Sequence, residues 1–267
     1  MFDEFLNLPK GILVLFFFVI GSIFGSFANV LIYRLQLKEP FNLWNRSYCP
    51  SCKKLIPFYL NIPIFSWFFL RGRCQNCKAS FSFRYPFVEF LTASLFALLF
   101  LSIGWNWFLL EALIFAFGLV VVSFIDLDQM ILPDSFTLSG IVLGLVGGFL
   151  NPERYFLDSL LGCFLGGFLL LFIAYAYYLF RKQEGVGGGD IKLLAWIGAV
   201  LGWQSLSFVL IVSSFLGTIV GAILILCDKK FHIQTALPFG PYLALGALFY
   251  IFLRDLENIY LNFIIPF

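Results

Sequence analysis

The feature that most constrains this chain is the recurrence of long apolar segments from one end to the other. The first, "KGILVLFFFVIGSIFGSFANVLIYRL", runs with few polar interruptions from Lys10 to Leu35. A helix needs about 20 apolar residues to cross the hydrocarbon of a bilayer. Eight segments can be marked, at roughly 11–34, 86–104, 107–125, 135–150, 156–180, 191–203, 205–227 and 240–254. Those at 135–150 and 191–203 are short, which implies tilting or shelter by neighbouring protein. With 61% hydrophobic and 12% charged residues, the chain cannot clothe a water-soluble surface, for which about 25% charge is usual. The expected fold is an all-α polytopic membrane protein of about eight transmembrane segments. Asp3 and Glu4 stand where a signal peptide would be basic, and no small-residue cleavage site follows the first apolar run. That run therefore reads as a retained span.

One polar insert breaks the pattern, and it gives the orientation. Eight Lys and Arg residues lie between the first two spans, from Lys38 to Arg84. Cytoplasmic loops carry the excess of Lys and Arg. With this insert inside, alternating spans also place Arg181, Lys182, Lys229 and Lys230 inside, and only Lys10, Arg154 and Arg254 outside. The expected divisions are a first transmembrane helix at 1–35, a cytoplasmic loop domain at 36–85 and a helical membrane core at 86–267.

The insert carries "CPSC" at Cys49 and Cys52 and "CQNC" at Cys74 and Cys77. Two C-x-x-C knuckles about 20 residues apart match a four-thiolate zinc site. Disulfides are the alternative, but a cytosolic loop sits in a reducing compartment. An iron–sulfur cluster is the other rival. Cys163 and Cys227 fall within apolar segments and read as packing residues.

Acidic residues gather at two places. "IDLDQMILPD" brings Asp126, Asp128 and Asp134 to the end of the third span. "GVGGGDIKLLA" sets Asp190 before the sixth. The glycines suggest a phosphate cradle, but no Lys-Ser/Thr follows them, and an aspartate there repels phosphate. Asp190 as a helix N-cap is the simpler reading and does not exclude chemistry. Asp126 sits deepest in the apolar boundary, Asp128 reaches toward water, and Asp134 reads first as a helix cap. Carboxylates at one depth on different helices suggest an aspartic dyad that shares a proton, activates water and polarises a carbonyl. Gly187 and Gly189 leave room for a substrate backbone beside Asp190. Such chemistry needs no histidine, and the single one, His232, reads as a loop surface residue.

Several stretches, taken in order, resemble the type 4 prepilin peptidases, bacterial membrane aspartic proteases of the Gly-x-Gly-Asp kind. They are "GSFANVLIYRL", the cysteine loop with "NIPIFSWFFLRGR", "DLDQMILPD", "GGGDIKLLA" and "PFGPYLALG". A proline often follows the Arg-Leu of the first signature, where this chain has Gln36. The resemblance implies that Asp126 and Asp190 are the catalytic pair. It implies prepilin or type II secretion pseudopilin substrates, cut after a glycine that ends a short basic leader, at the cytoplasmic face of the inner membrane. It further implies methylation of the new N-terminus with S-adenosylmethionine as donor. The expected cofactors are thus zinc on the four cysteines and S-adenosylmethionine; the expected partners are pilin precursors and lipid, without nucleic acid.

Three further features carry weaker signals. Glu89, near the start of the second span, either meets the helix dipole or contacts the substrate amine or the methyl donor. Lys192 either tunes the aspartates or snorkels to headgroups. Gly21, Gly25 and Asn29, at four-residue spacing, suit close helix packing in lipid. Two rival functions stand beside the peptidase. A transporter would use Asp126 and Asp190 as proton or ion sites, and a zinc-loop scaffold would bind partners without chemistry.

Overall fold

The computed structural model describes residues 9–37, 47–152, 154–183, 185, 187–227 and 237–264. His232, Lys38, Arg46, Lys229 and Lys230 lie outside the described residues. The helices are α1 (Lys10–Gln36), α2 (Phe65–Phe69), α3 (Arg84–Ile103), α4 (Trp107–Gln129), α5 (Asp134–Leu150), α6 (Phe156–Arg181), α7 (Gly188–Leu201), α8 (Ser205–Cys227) and α9 (Gly240–Ile264). A 3-10 turn at Phe58–Leu60 precedes the short α2. The long helices fall on the eight apolar segments of the sequence. Five of them, α1, α3, α4, α6 and α8, are long and apolar enough to cross a membrane. The other three are shorter in their apolar part: α5 has 17 residues, α7 has 14, and α9 is apolar over Gly240–Arg254.

The chain forms two compact units, Met1–Trp105 and Asn106–Phe267. The first takes in α1, the polar insert and α3 together, where the sequence suggested divisions at 35 and 85. The cause is the packing of α1 along α3. A Cβ on Gly21 would meet the Ala93 Cα at 2.7 Å, and one on Gly25 would meet the Glu89 Cα at 2.6 Å. One turn further, Asn29 Nδ2 donates to the Tyr85 carbonyl at 3.0 Å. The Gly21–Gly25–Asn29 face is thus a packing face. At the far end Phe17 stacks on Phe100, with ring centroids 4.5 Å apart.

The second unit is built around α7. Every residue from Leu193 to Leu201 is buried. A helix that is apolar all round belongs inside a protein, so its short length is explained by shelter from its neighbours. Gly162 of α6 and Gly198 of α7 face each other backbone to backbone: a Cβ on either would strike the other's carbonyl oxygen. Small residues make such approaches possible. Trp196 of α7 lies against Phe115 edge-on, 5.3 Å between centroids, and fills the space left by Gly118 and Gly140. Arg154 closes the opposite end of α7 from Asp190. Its guanidinium donates to both oxygens of Glu111 at 2.7 Å, to Ser159 Oγ at 2.6 Å and to the Ala199 carbonyl at 2.9 Å. The outer helices present their aromatic residues outward. Phe164, Phe168, Phe172 and Phe180 of α6 are all exposed, as lipid-facing side chains would be.

Candidate active site and metal centre

The second unit brings the expected aspartates together. Asn106 caps α4, its Oδ1 accepting from the Leu109 amide at 3.0 Å. The helix ends at Met130, which turns left-handed at φ 53 and donates to the Asp126 carbonyl. Asp126 is therefore one turn from the end of α4. It is 4% exposed, whereas Asp128 is exposed. Asp190 enters from the other side of the site, in the first turn of α7. Gly187, not Asp190, occupies the N-cap position. The Asp190 amide donates to the Gly187 carbonyl at 3.1 Å, and its half-buried carboxyl group in turn meets the Gly187 backbone. The two carboxyl groups are close enough to interact electrostatically.

Two residues that the sequence did not single out hold this arrangement. The Gly240 amide, at the start of α9, donates to Asp126 Oδ2 at 2.9 Å. A Cβ there would lie 2.8 Å from the same oxygen. Leu132, buried in the turn after α4, fits against both Gly189 and Gly240: added Cβ atoms would meet its side chain at 2.8 and 3.2 Å. Gly189 is thus required by the close approach of Leu132. Gly187 borders the Asp190 carboxyl, an added Cβ lying 3.3 Å from Oδ2. The quoted stretch "PFGPYLALG" was the sequence signal for Gly240; its partner, Asp126, is too distant in the chain to be guessed.

Asp134 is the first residue of α5, and Pro133 stands at the cap position without a side-chain hydrogen bond. The expected Asp134 cap is thus replaced by an ion pair: Lys192 Nζ meets Asp134 Oδ1 at 2.6 Å, with both side chains substantially exposed. Cys163 is half-buried and Cys227 exposed, so only the former fits the packing reading.

In the first unit the four cysteines converge. One sulfur from each of Cys49, Cys52, Cys74 and Cys77 lies within 4.8 Å of all the others. Two equivalent turns aim them. Cys49 N–H donates to the Lys54 carbonyl at 2.9 Å and Lys53 N–H to the Cys49 carbonyl at 2.9 Å. Likewise Cys74 N–H donates to Ala79 at 2.8 Å and Lys78 N–H to Cys74 at 3.1 Å. Lys53 and Lys78 are left-handed, at φ 57 and 60, and bridges Tyr48–Leu55 and Arg73–Ser80 close the two turns. Tetrahedral metal–sulfur bonds of about 2.3 Å require sulfurs about 3.8 Å apart. Cys49 and Cys77 are 3.8 Å apart, so the donor set fits a metal ion. The Cys77 and Asn76 amides, directed at the Cys74 sulfur, hold its thiol down at about 6. Such donors favour the thiolate, the form that binds metal.

Glu89 is the sixth residue of α3, beyond the turn over which a helix dipole acts. Its Oε2 accepts instead from the Ile64 amide at 2.6 Å. The "NIPIFSW" stretch, expected as loop, supplies this turn and then enters α2.

Comparison with known proteins agrees with this two-unit division. Residues 19–103 match the model of the bacterial peptidase A24 N-terminal domain, and residues 113–222 that of the type IV leader peptidase family. A prepilin leader peptidase/N-methyltransferase of Aeromonas hydrophila is 39% identical over 90% of this chain and 92% of its own length. The protein of the same name from Stutzerimonas stutzeri is 36% identical over 91% of each chain. That from Neisseria gonorrhoeae is 37% identical over 85% of this chain and 86% of its own. No solved structure matches the chain. With both family models matched in order and these identities running nearly end to end, the chain belongs to the family of prepilin leader peptidase/N-methyltransferases.

Proposed function

We propose that this protein is an aspartic endopeptidase of the inner membrane that removes the leader of type IV prepilins or type II secretion pseudopilins. The cut follows the leader glycine at the cytoplasmic face, and the new N-terminus is then methylated from S-adenosylmethionine. The observation that carries the reading is the meeting of Asp126 and Asp190 at helix ends, with Gly240 donating to Asp126. A transporter's acids would lie nearer mid-membrane on broken helices; these stand one turn from the end of α4 and in the first turn of α7.

The roles of the pair follow from their surroundings. Two adjacent carboxyl groups share one proton. Asp126, which accepts an amide at the start of α9, is the better host for the charge. It takes a proton from a water molecule as that water attacks the scissile carbonyl. Asp190 donates its proton to the carbonyl oxygen as the tetrahedral diol forms. The diol collapses when a proton passes to the leaving amine, and the C–N bond breaks. Gly187, which borders the Asp190 carboxyl, and Gly188, which borders open space, admit the extended leader; the space beside Gly189 is already filled by Leu132. The excess of Lys and Arg between α1 and α3 supports a cytoplasmic site.

The cysteine cluster would hold zinc in a structural role, since four protein thiolates leave no position for a reacting group. Its ligands are Cys49, Cys52, Cys74 and Cys77.

The test uses the full chain in lipid nanodiscs with a prepilin-like peptide, read by mass spectrometry. The expected result is cleavage after the leader glycine, lost in folded Asp190→Asn protein, and one added methylene when S-adenosylmethionine is present. Leader peptides left intact by wild-type protein would overturn the peptidase reading.

A further inference from the structure

The polar insert between α1 and α3 carries an apolar edge that its own fold leaves uncovered. Ile62, Phe65, Phe68 and Phe69 are all exposed, Phe69 to 84%. They recur at three- and four-residue spacing, and the Ser66 amide bonds back to the Ile62 carbonyl at 3.1 Å. The four side chains therefore share one face of α2 and the turn that opens it. A single exposed apolar residue needs no explanation, whereas a contiguous patch marks an interaction surface. The inner side of α2 is already committed. Trp67 Nε1 donates to the Phe81 carbonyl at 3.2 Å, and its ring lies against Gly72, where a Cβ would meet it at 2.8 Å. Just ahead of α2, the Ile64 amide is held by Glu89 of α3. These contacts fix α2 beside the start of α3 with its outer face bare.

Two observations say what covers that face. The first is continuity with a membrane span. Trp67 meets Phe68 and Phe83 edge-on, with ring centroids 5.3 and 5.4 Å apart. From Phe83 the exposed Phe87, Phe90, Leu98 and Leu101 follow at helical spacing along one side of α3. Helix α3 is long and apolar enough to cross a membrane, and α1 packs on its other side, against Glu89 and Ala93. The aromatic edge of the insert thus runs directly into the lipid-facing side of α3. The second observation is charge. Residues 47–83 contain five Lys and Arg and no Asp or Glu. Arg71, Arg73 and Lys78 are exposed and border one recess with Leu70, directly after the patch.

Cations beside an exposed apolar helix face are what an anionic bilayer surface attracts, and aromatic rings settle at the level of the headgroups. The same charge repels a basic peptide leader and a second copy of this insert. We propose that the insert lies on the bilayer surface. Ile62, Phe65, Phe68 and Phe69 enter the boundary between headgroups and acyl chains, and Arg71, Arg73 and Lys78 hold the phosphates of anionic phospholipid. The stems of these long cations run along the apolar boundary while their charges reach the phosphates. The insert is then tied down at three places, by α1, by α3 and by α2, and is not a domain free in water.

The experiment uses the full-length protein in nanodiscs, with a photoreactive group introduced as Phe69→p-benzoylphenylalanine. The discs hold either phosphatidylcholine alone or phosphatidylcholine mixed with phosphatidylglycerol, and a prepilin-like peptide is present. The products of illumination are identified by mass spectrometry. The same group at Phe168, exposed on the membrane-length helix α6, reports lipid contact that is indifferent to headgroup charge. Metal content per chain and thermal melting are the checks on folding. The expected result is lipid adducts at Phe69, about tenfold or more abundant in the anionic discs. Arg71→Gln with Lys78→Gln should remove that advantage and leave the adducts at Phe168 unchanged. Adducts at Phe69 to the peptide or to a second copy of the chain overturn the proposal. So does the absence of lipid adducts at Phe69 where Phe168 gives them, or a yield at Phe69 that ignores both headgroup charge and the two cations.

Discussion

The cysteine knuckles and helix α7 are held by opposite means. The knuckles bury little: Cys49 and Cys74 are buried, but Cys77 and most of their neighbours are exposed. Their order comes from backbone hydrogen bonds that aim four sulfurs at one point. Helix α7 offers no ligand set and buries nine successive residues. Its order comes from close contact, Gly198 on Gly162 and Trp196 against Gly118 and Gly140. A segment with almost no core needs an external tie, whereas a segment that is all core needs neighbours small enough to approach it.

Four sets of substitutions separate the two kinds of hold. Replacing Cys49 and Cys74 by serine, or stripping the metal with a strong chelator, removes a tie worth on the order of 10 kcal/mol. The insert should become open to limited proteolysis between 47 and 83, while the second unit keeps its melting temperature. Trp196→Ala should do the reverse. It costs about 3–5 kcal/mol, lowers the melting of the second unit in detergent, and leaves one metal per chain. Arg154→Met strands the Glu111 carboxylate, a cost of about 3 kcal/mol. Adding Glu111→Gln should recover much of it, as a double-variant thermal melt would show. Lys192→Met removes only the exposed pair with Asp134, worth under about 1 kcal/mol. A large loss of cleavage with unchanged melting in that variant would show that Lys192 acts on the aspartates after all.

Legibility in the sequence divides along the same line. Cysteine spacing announces the knuckles because both ligands of each pair lie within one turn of chain. Asp126 and Asp190 stand out because a carboxylate bordering an apolar run is costly without a use. The eight helices follow from hydropathy. What stays hidden is pairing over long separations. Ile64 with Glu89 is 25 residues apart, Arg154 with Glu111 is 43, and Gly240 with Asp126 is 114. Arg154 read as an ordinary charge outside the membrane, yet its side chain is only 10% exposed. Asp134 read as a cap, because the sequence does not reveal that Lys192 is within reach.

As proposed above, Asp126 and Asp190 act as one unit in leader cleavage. The most direct measurement is kcat/KM for cleavage by Asp126→Asn, Asp190→Asn and the double variant, each verified as folded and metal-loaded. Groups that share one proton in one step are grossly non-additive, so each single variant should lose about 10⁴-fold or more and the double variant no more than either. If the losses multiply, or if either single variant retains wild-type cleavage, the two aspartates are not a catalytic pair.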